Sequence, residues 1–235
     1  MKVTFIGTGT MASTKRANTS FLIDNILFDC GMGTIKQFER LGFHVKDVEN
    51  LIISHFHADH FFDIPNFIMG KKIRNEINKK TNIIGPVGLK QKTYELMQLA
   101  FGKYKLLEEY ANLNFIELKD NQIIKLNDYK LTAIKSKHGD TVPNYGYLLE
   151  KDNVVIGYTG DTEDLDCVCK MCEKSNYLLA DATMPDSGHS HIGFNDLIKL
   201  AERFKECKFY AIHRHDYNIQ SKNVFLPNDG DSFII

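Results

Sequence analysis

The stretch Ile53-Ser54-His55-Phe56-His57-Ala58-Asp59-His60 decides how this chain is read, because three histidines and an aspartate fall within six residues behind the apolar run Leu51-Ile52-Ile53. The run is short and β-branched, the pattern of a strand, and a strand projects alternate residues to the same side. His55 and His57 can therefore face one ion, while the turn that follows swings Asp59 and His60 towards a second. A polar turn with capping histidines is the competing reading. It does not account for so many metal-binding side chains at one strand end, nor for distant candidate ligands in the same context.

Such ligands recur downstream. His138 follows the strand pattern Leu131 to Lys135, Asp161 follows Val154 to Tyr158, and His213 follows Phe209 to Ile212. A further histidine, His191, sits in a loop ahead of a helix start near Phe194. Imidazole and carboxylate at strand ends make a rigid site for a borderline metal such as zinc. The expected arrangement places His55, His57 and His138 on one ion, Asp59, His60 and His213 on the other, and Asp161 between both. Two such divalent ions, zinc first with manganese and iron as alternatives, can activate a water near neutral pH and clamp the attacking and leaving oxygens. That is hydrolytic chemistry.

Around these ligands the chain is organised as strands and helices. Val3 to Ile6, Thr19 to Ile23 and Ile26 to Asp29, parted by glycines and by Asp24-Asn25, read as a β-meander, and Thr34 to Leu41 as a helix ending at Gly42. Gly7-Thr8-Gly9 lacks the third glycine and the lysine that a phosphate loop requires. Beyond the histidines, Phe61 to Met69 is apolar enough to be buried and starts a helix running on into Ile77. Asn82 to Ile84 is a strand and Leu89 to Phe101 an amphipathic helix. Asn114 to Lys135 alternates in short runs, which predicts a second antiparallel meander, followed by strands at Tyr145 to Leu149 and Val154 to Tyr158. Helices from about Asp164 and Phe194 then alternate with strands at Tyr177 to Ala180 and Phe209 to Ile212. The order suggests two meander-plus-helix halves, sheets packed as a sandwich with outer helices, in one domain spanning 1–235.

Composition narrows the function classes. With 29 basic and 30 acidic residues the net charge is −1, so the surface is not dominated by nucleic-acid electrostatics. Five cysteines, an odd number without a secretory signal ahead of them, fit a reduced compartment better than a disulfide framework. No stretch reaches the roughly 18 apolar residues of a membrane span, and a soluble, cytoplasmic protein is the expectation. A homodimer is compatible with the sequence but not required by it.

The chain resembles the metallo-β-lactamase superfamily and within it is most similar to ribonuclease Z and its relatives. The likeness rests on Phe5-Ile6-Gly7-Thr8-Gly9, Leu27-Phe28-Asp29-Cys30-Gly31 with Gly33-Thr34, the histidine cluster, and Gly85-Pro86-Val87-Gly88. It continues through His138 with Tyr145-Gly146-Tyr147, Gly160-Asp161-Thr162, Asp181-Ala182-Thr183 and His213. The resemblance implies an α/β fold, the four-layer αββα metallo-β-lactamase sandwich, and carries over His55, His57, Asp59, His60, His138, Asp161 and His213 as metal ligands. It also implies catalytic roles for Asp59 and for His191, which would stabilise the transition state or protonate the leaving group. His189 competes for the second role, but the spacing to the following helix favours His191.

Two departures bear on the substrate. The long basic, glycine-rich arm with which ribonuclease Z holds transfer RNA would stand between Tyr145 to Leu149 and Val154 to Tyr158, where this chain has only a short turn. Phe61-Phe62 after the histidines predicts a crowded, apolar pocket floor. Small phosphodiesters or other small anionic substrates are therefore expected, and RNA is disfavoured. A phosphodiesterase is the leading reading. Cleavage of carboxylic esters, thioesters or lactams is the alternative within hydrolases, and an iron-dependent oxidoreductase the alternative outside them. A non-catalytic nucleic-acid-binding module is disfavoured by the complete ligand set.

Plain structural roles are expected for several other residues. His44 reads as surface, whereas His215 could line the site beside His213. Cys167, Cys169 and Cys172 lie on a helical pattern and read as reduced thiols rather than a metal knuckle. Lys71, Lys72, Arg74, Lys79 and Lys80 read as a solvated face. Asp181 is expected to orient a ligand.

Overall fold

The computed structural model describes residues 1–139, 143–217 and 219–235, which form two compact units, each with one seven-stranded mixed sheet. The first unit comprises Met1–Gly7, Ala17–Leu118 and Asp229–Ile235; the second comprises Thr8–Arg16 and Lys119–Asn228.

In the first unit the glycine and Asp24-Asn25 turns fold β1 (Lys2–Gly7), β2 (Ser20–Ile23) and β3 (Ile26–Phe28) into the expected antiparallel meander. Phe21 and Phe28 are register partners, and their rings stack at 4.6 Å. After α1 (Thr34–Arg40), strands β4 (Asn50–Ile52), β5 (Thr81–Pro86) and β6 (Leu113–Leu118) add in parallel to β3, connected by helices. These helices are α2 (Ala58–Phe61), α3 (Ile64–Ile73), α4 (Leu89–Phe101) and α5 (Leu107–Ala111). Leu51, Ile52, Ile83 and Ile84 are all buried, which explains why these segments read as continuous apolar runs. An amide ladder pins the register: Asn82 Nδ2 donates to Asn50 Oδ1 at 2.8 Å, and Asn114 Nδ2 to Asn82 Oδ1 at 3.0 Å.

The second unit repeats the plan. Strands β7 (Ile123–Leu126), β8 (Tyr129–Ser136), β9 (Asn144–Lys151) and β10 (Val154–Tyr158) form an antiparallel meander. Strands β11 (Tyr177–Asp181), β12 (Lys208–Ile212) and β13 (Val224–Phe225) then add in parallel. Helix α6 (Leu165–Cys172) is capped by Asp164, whose Oδ1 accepts from Cys167 N at 2.9 Å. Helix α7 (Phe194–Arg203) buries Phe194, Leu197, Leu200 and Ala201 in a core with Leu178, Ala180, Phe209 and Ala211. The last strand of the chain, β14 (Ser232–Ile234), pairs with β1 in the first sheet.

Four expectations need correction. The segment Asn114 to Lys135 is not one meander: β6 pairs parallel to β5, and the meander begins at β7. Alternation reports a half-exposed strand but not the direction of its partner. The helix expected from Phe61 to Ile77 is broken between α2 and α3, where Asp63 turns to accept the Ile35 amide of α1 at 2.7 Å and Pro65 opens the next helix. It stops at Ile73, with Asn75 left-handed at φ 56°. Phe61, expected in a pocket floor, belongs to the core against Phe56, whereas Phe62 is exposed. Lys71, expected in solvent, is buried and donates to Thr81 Oγ1 at 2.5 Å.

All five cysteines are free thiols. Burial pushes Cys207 up to about 12 and Cys30 and Cys172 well above the ordinary thiol range, so these sulfurs are held protonated and apolar. Among the described residues, no helix is long and apolar enough to cross a membrane.

Candidate metal centre

The first unit gathers its ligands where β3 and β4 end. Asp29, buried and left-handed at φ 56°, accepts from Ser54 N at 2.7 Å and Ser54 Oγ at 2.8 Å. The same carboxylate lies 2.8 Å from His60 Nδ1. A carboxylate only accepts, so His60 carries its proton on Nδ1 and presents an Nε2 lone pair. Asp59 Oδ2 lies 3.8 Å from that Nε2. His55 Nε2 and His57 Nδ1 are 3.0 Å apart, a separation that a shared proton or a shared cation bridges. His55 thus lies beside both His57 and His60, its ring centroid 4.3 Å from that of His60.

The backbone makes this convergence possible at Gly31. Cys30 N donates to His60 O at 2.7 Å and Met32 N to Ala58 O at 3.2 Å, drawing the two loops together. A Cβ on Gly31 would be driven into the Asp59 carbonyl, so only glycine permits the approach.

The second unit gathers its set at the ends of β8, β10, β11 and β12. His138 Nδ1 lies 2.9 Å from the Ser190 carbonyl, which only accepts, so His138 also presents an Nε2 lone pair. Thr183 Oγ1 donates to Asp181 Oδ1 at 2.8 Å and must then accept from His213 Nδ1, also at 2.8 Å. His213 Nε2 is left with its lone pair as well. Asp161 Oδ2 lies 3.3 Å from His213 Nε2 and 3.8 Å from His138 Nε2, so two imidazole lone pairs and a carboxylate face one another. Within this unit, ligand atoms of Asp161, Asp181, His191 and His213 all lie within 4.8 Å of one another.

Asp181 organises the set, as expected. Fully buried, it accepts from Thr162 N at 3.0 Å and Thr183 N at 3.1 Å, and its Oδ2 lies 2.7 Å from His191 Nδ1. Burial disfavours its charge, but hydrogen bonds from His191 and His213 outweigh this and hold the carboxyl below its usual range. For His191, burial likewise opposes protonation, and the hydrogen bond and charge of Asp181 prevail, raising it above the ordinary histidine value. His189 is exposed and His44 is exposed. His215 is half-buried, with its backbone amide tied to Thr183 O at 3.1 Å.

Sequence reasoning missed the partners that orient the ligands: Asp29, Ser54, Thr183 and the Ser190 carbonyl. Asp29 left a usable signal, a carboxylate directly behind the apolar run Ile26-Leu27-Phe28. A backbone carbonyl leaves none.

The donor set fits a resident divalent metal. Nitrogen lone pairs and carboxylates, with no thiolate among them, suit zinc, manganese or iron. Orientation of imidazoles through Nδ1 by carboxylate, hydroxyl and carbonyl is the outer arrangement that metal-ligating histidines use.

Ribonuclease Z of Picrophilus torridus is 34% identical over 163 residues, which cover 66% of this chain and 50% of that protein. Ribonuclease Z of Methanosarcina acetivorans is 33% identical over 159 residues, 63% of this chain and 48% of that protein. The chain thus spans about half the length of the curated relatives it matches. Among solved structures, the short form of human tRNase Z superposes with a TM-score of 0.78 at 22% identity, covering 100% of this chain and 99% of that one. The metallo-β-lactamase fold protein YhfI from Bacillus subtilis superposes with a TM-score of 0.80 at 18% identity, covering 99% and 98%. The fold class expected from the sequence is the one these neighbours have. The family described as Anti-Pycsar protein Apyc1 matches residues 1–229, and the chain belongs to that family.

Proposed function

We propose that this chain is a metal-dependent hydrolase of small phosphodiesters, its two units working as one domain over 1–235. In this reading His55, His57 and His138 hold one divalent ion, Asp59, His60 and His213 a second, and Asp161 serves both. Zinc is the favoured metal, because the ligands are mostly imidazole and none is a thiolate. The observation that carries the reading is the shared tautomer: His60, His138 and His213 each commit Nδ1 to a protein acceptor and so offer Nε2. When bound, the ions supply an activated water and neutralise charge developing on the phosphoryl group.

The chain's own residues do the rest. Asp181 fixes His191 with its Nδ1 proton inward and stabilises the imidazolium, so that His191 can donate from Nε2 to the leaving oxygen. Asp59, largely buried beside His60, serves as ligand and as acceptor for the attacking water's proton. A small substrate is supported by the β9–β10 connection, which is only Asp152-Asn153, both left-handed at φ 51° and 64°. This is a tight hairpin with no arm to hold transfer RNA. The free thiols support a reduced, cytoplasmic setting.

The test is metal analysis of the purified protein with hydrolysis assays on bis-p-nitrophenyl phosphate, p-nitrophenyl acetate and a pre-transfer-RNA. Chelator-sensitive, zinc- or manganese-restored cleavage of the first, with little cutting of the other two, is expected. An iron-loaded protein that consumes oxygen and is inert towards phosphodiesters would overturn the reading.

A further inference from the structure

Gly188 and His191 exchange both backbone hydrogen bonds, each at 3.0 Å, closing a two-residue hairpin with His189 and Ser190 at its tip. Both tip residues are left-handed, at φ 52° and 68°. That is the backbone of a type I′ turn, which favours Asn-Gly, and a serine adopts it against its own preference.

The strained turn has two products. It brings His191 Nδ1 to 2.7 Å from Asp181 Oδ2, and it aims the Ser190 carbonyl at His138 Nδ1 from 2.9 Å. Its exit is fixed by Ile192 N donating to Thr162 O at 2.7 Å. Beside it, Glu163 pairs with Lys137 at 2.9 Å, and Glu163 N donates to Lys137 O at 3.0 Å. The segment bearing His138, the loop after Asp161 and the hairpin are therefore one hydrogen-bonded block.

We propose that the His189-Ser190 turn is a positioning element that sets two residues of the centre at once, fixing His138 in its Nδ1–H tautomer through the Ser190 carbonyl and holding His191 against Asp181. This rests on the reading of His138 as a ligand and His191 as a proton donor. It makes the two φ values, and not the side chains at 189 and 190, the required feature.

The turn is tested with four variants of the full chain. The double variant His189→Asn with Ser190→Gly keeps a type I′ turn, and Ser190→Ala keeps the carbonyl while removing the hydroxyl. Ser190→Pro forces φ near −65° and disfavours the left-handed residue before it. A glycine inserted between His189 and Ser190 moves the carbonyl in a loop that tolerates extra length, which covers the case that the proline variant does not fold. Imidazole 15N spectra of metal-free protein and titration with zinc ions are the readouts, and neither depends on hydrolysis. Wild type, the Asn-Gly variant and Ser190→Ala are expected to share the His138 Nδ1–H signal and zinc affinity. The proline and insertion variants are expected to lose that signal and to bind zinc about 10- to 100-fold more weakly while still melting cooperatively. Loss of the tautomer in the Asn-Gly variant, or its retention with full zinc affinity in a folded proline or insertion variant, would overturn the proposal. A wild type inert towards phosphodiesters would overturn the proposed function and leave this result standing.

Discussion

Lys71 stands in a run of basic residues at the end of α3, yet its side chain is buried, with Thr81 Oγ1 as acceptor and the Phe67 ring 5.9 Å away. Burial lowers its affinity for a proton, with Glu76 acting weakly the other way. The folded state therefore holds this proton less tightly than the unfolded chain, in which the amine keeps its ordinary value of 10.5. Below both values the charged amine is a constant penalty on the fold; as pH rises through the window between them, the penalty disappears. Replacing Lys71 by methionine keeps the volume and removes the charge, so Lys71→Met is expected to melt no lower than wild type at pH 7. Wild type should gain on the variant as pH approaches 10.5, measured by thermal denaturation across pH. A constant deficit of the variant at every pH would contradict this. Nothing in the residue type reveals the inward turn. The apolar positions Ile64, Phe67, Ile68 and Lys71 share a face at helical spacing, and the lysine is the member that sequence reading assigns to solvent.

At the scale of elements, the candidate ligands stood out because histidine and aspartate directly behind strand-like apolar runs have few structural uses. The same logic located β4, β10, β11 and β12 within a residue or two. Partner choice was not legible: β6 carries the alternation of a meander strand but completes a parallel crossover. Nor was the approach of the loop after β3 to the start of α2, which depends on a missing Cβ at Gly31. Gly31→Ala is expected to push the Asp59 backbone outward, costing about 1–3 kcal/mol of stability. It should also lower zinc content, read by denaturant unfolding and metal analysis of one preparation. Unchanged zinc content together with unchanged stability would show that the loop relaxes freely.

Over the whole molecule, each unit runs an antiparallel meander into parallel crossovers, and the carboxyl ends of the last meander strand and of the strands added after it carry Asp29, the His55 to His60 cluster, Asp161, Asp181 and His213. Strand ends of open α/β sheets are where such folds bind ligands. Of the seven candidate ligands, four lie in the first unit and three in the second, and the proposed function requires both sets. The orienting network around them is less visible in sequence because it is made of common polar residues and a carbonyl. The most direct test measures zinc content and bis-p-nitrophenyl phosphate turnover in wild type, His57→Ala and His213→Ala, which alter one unit each. The wild type is expected to hold about two zinc ions, and either variant to lose turnover by at least about 100-fold. Wild-type turnover surviving in either variant would contradict this.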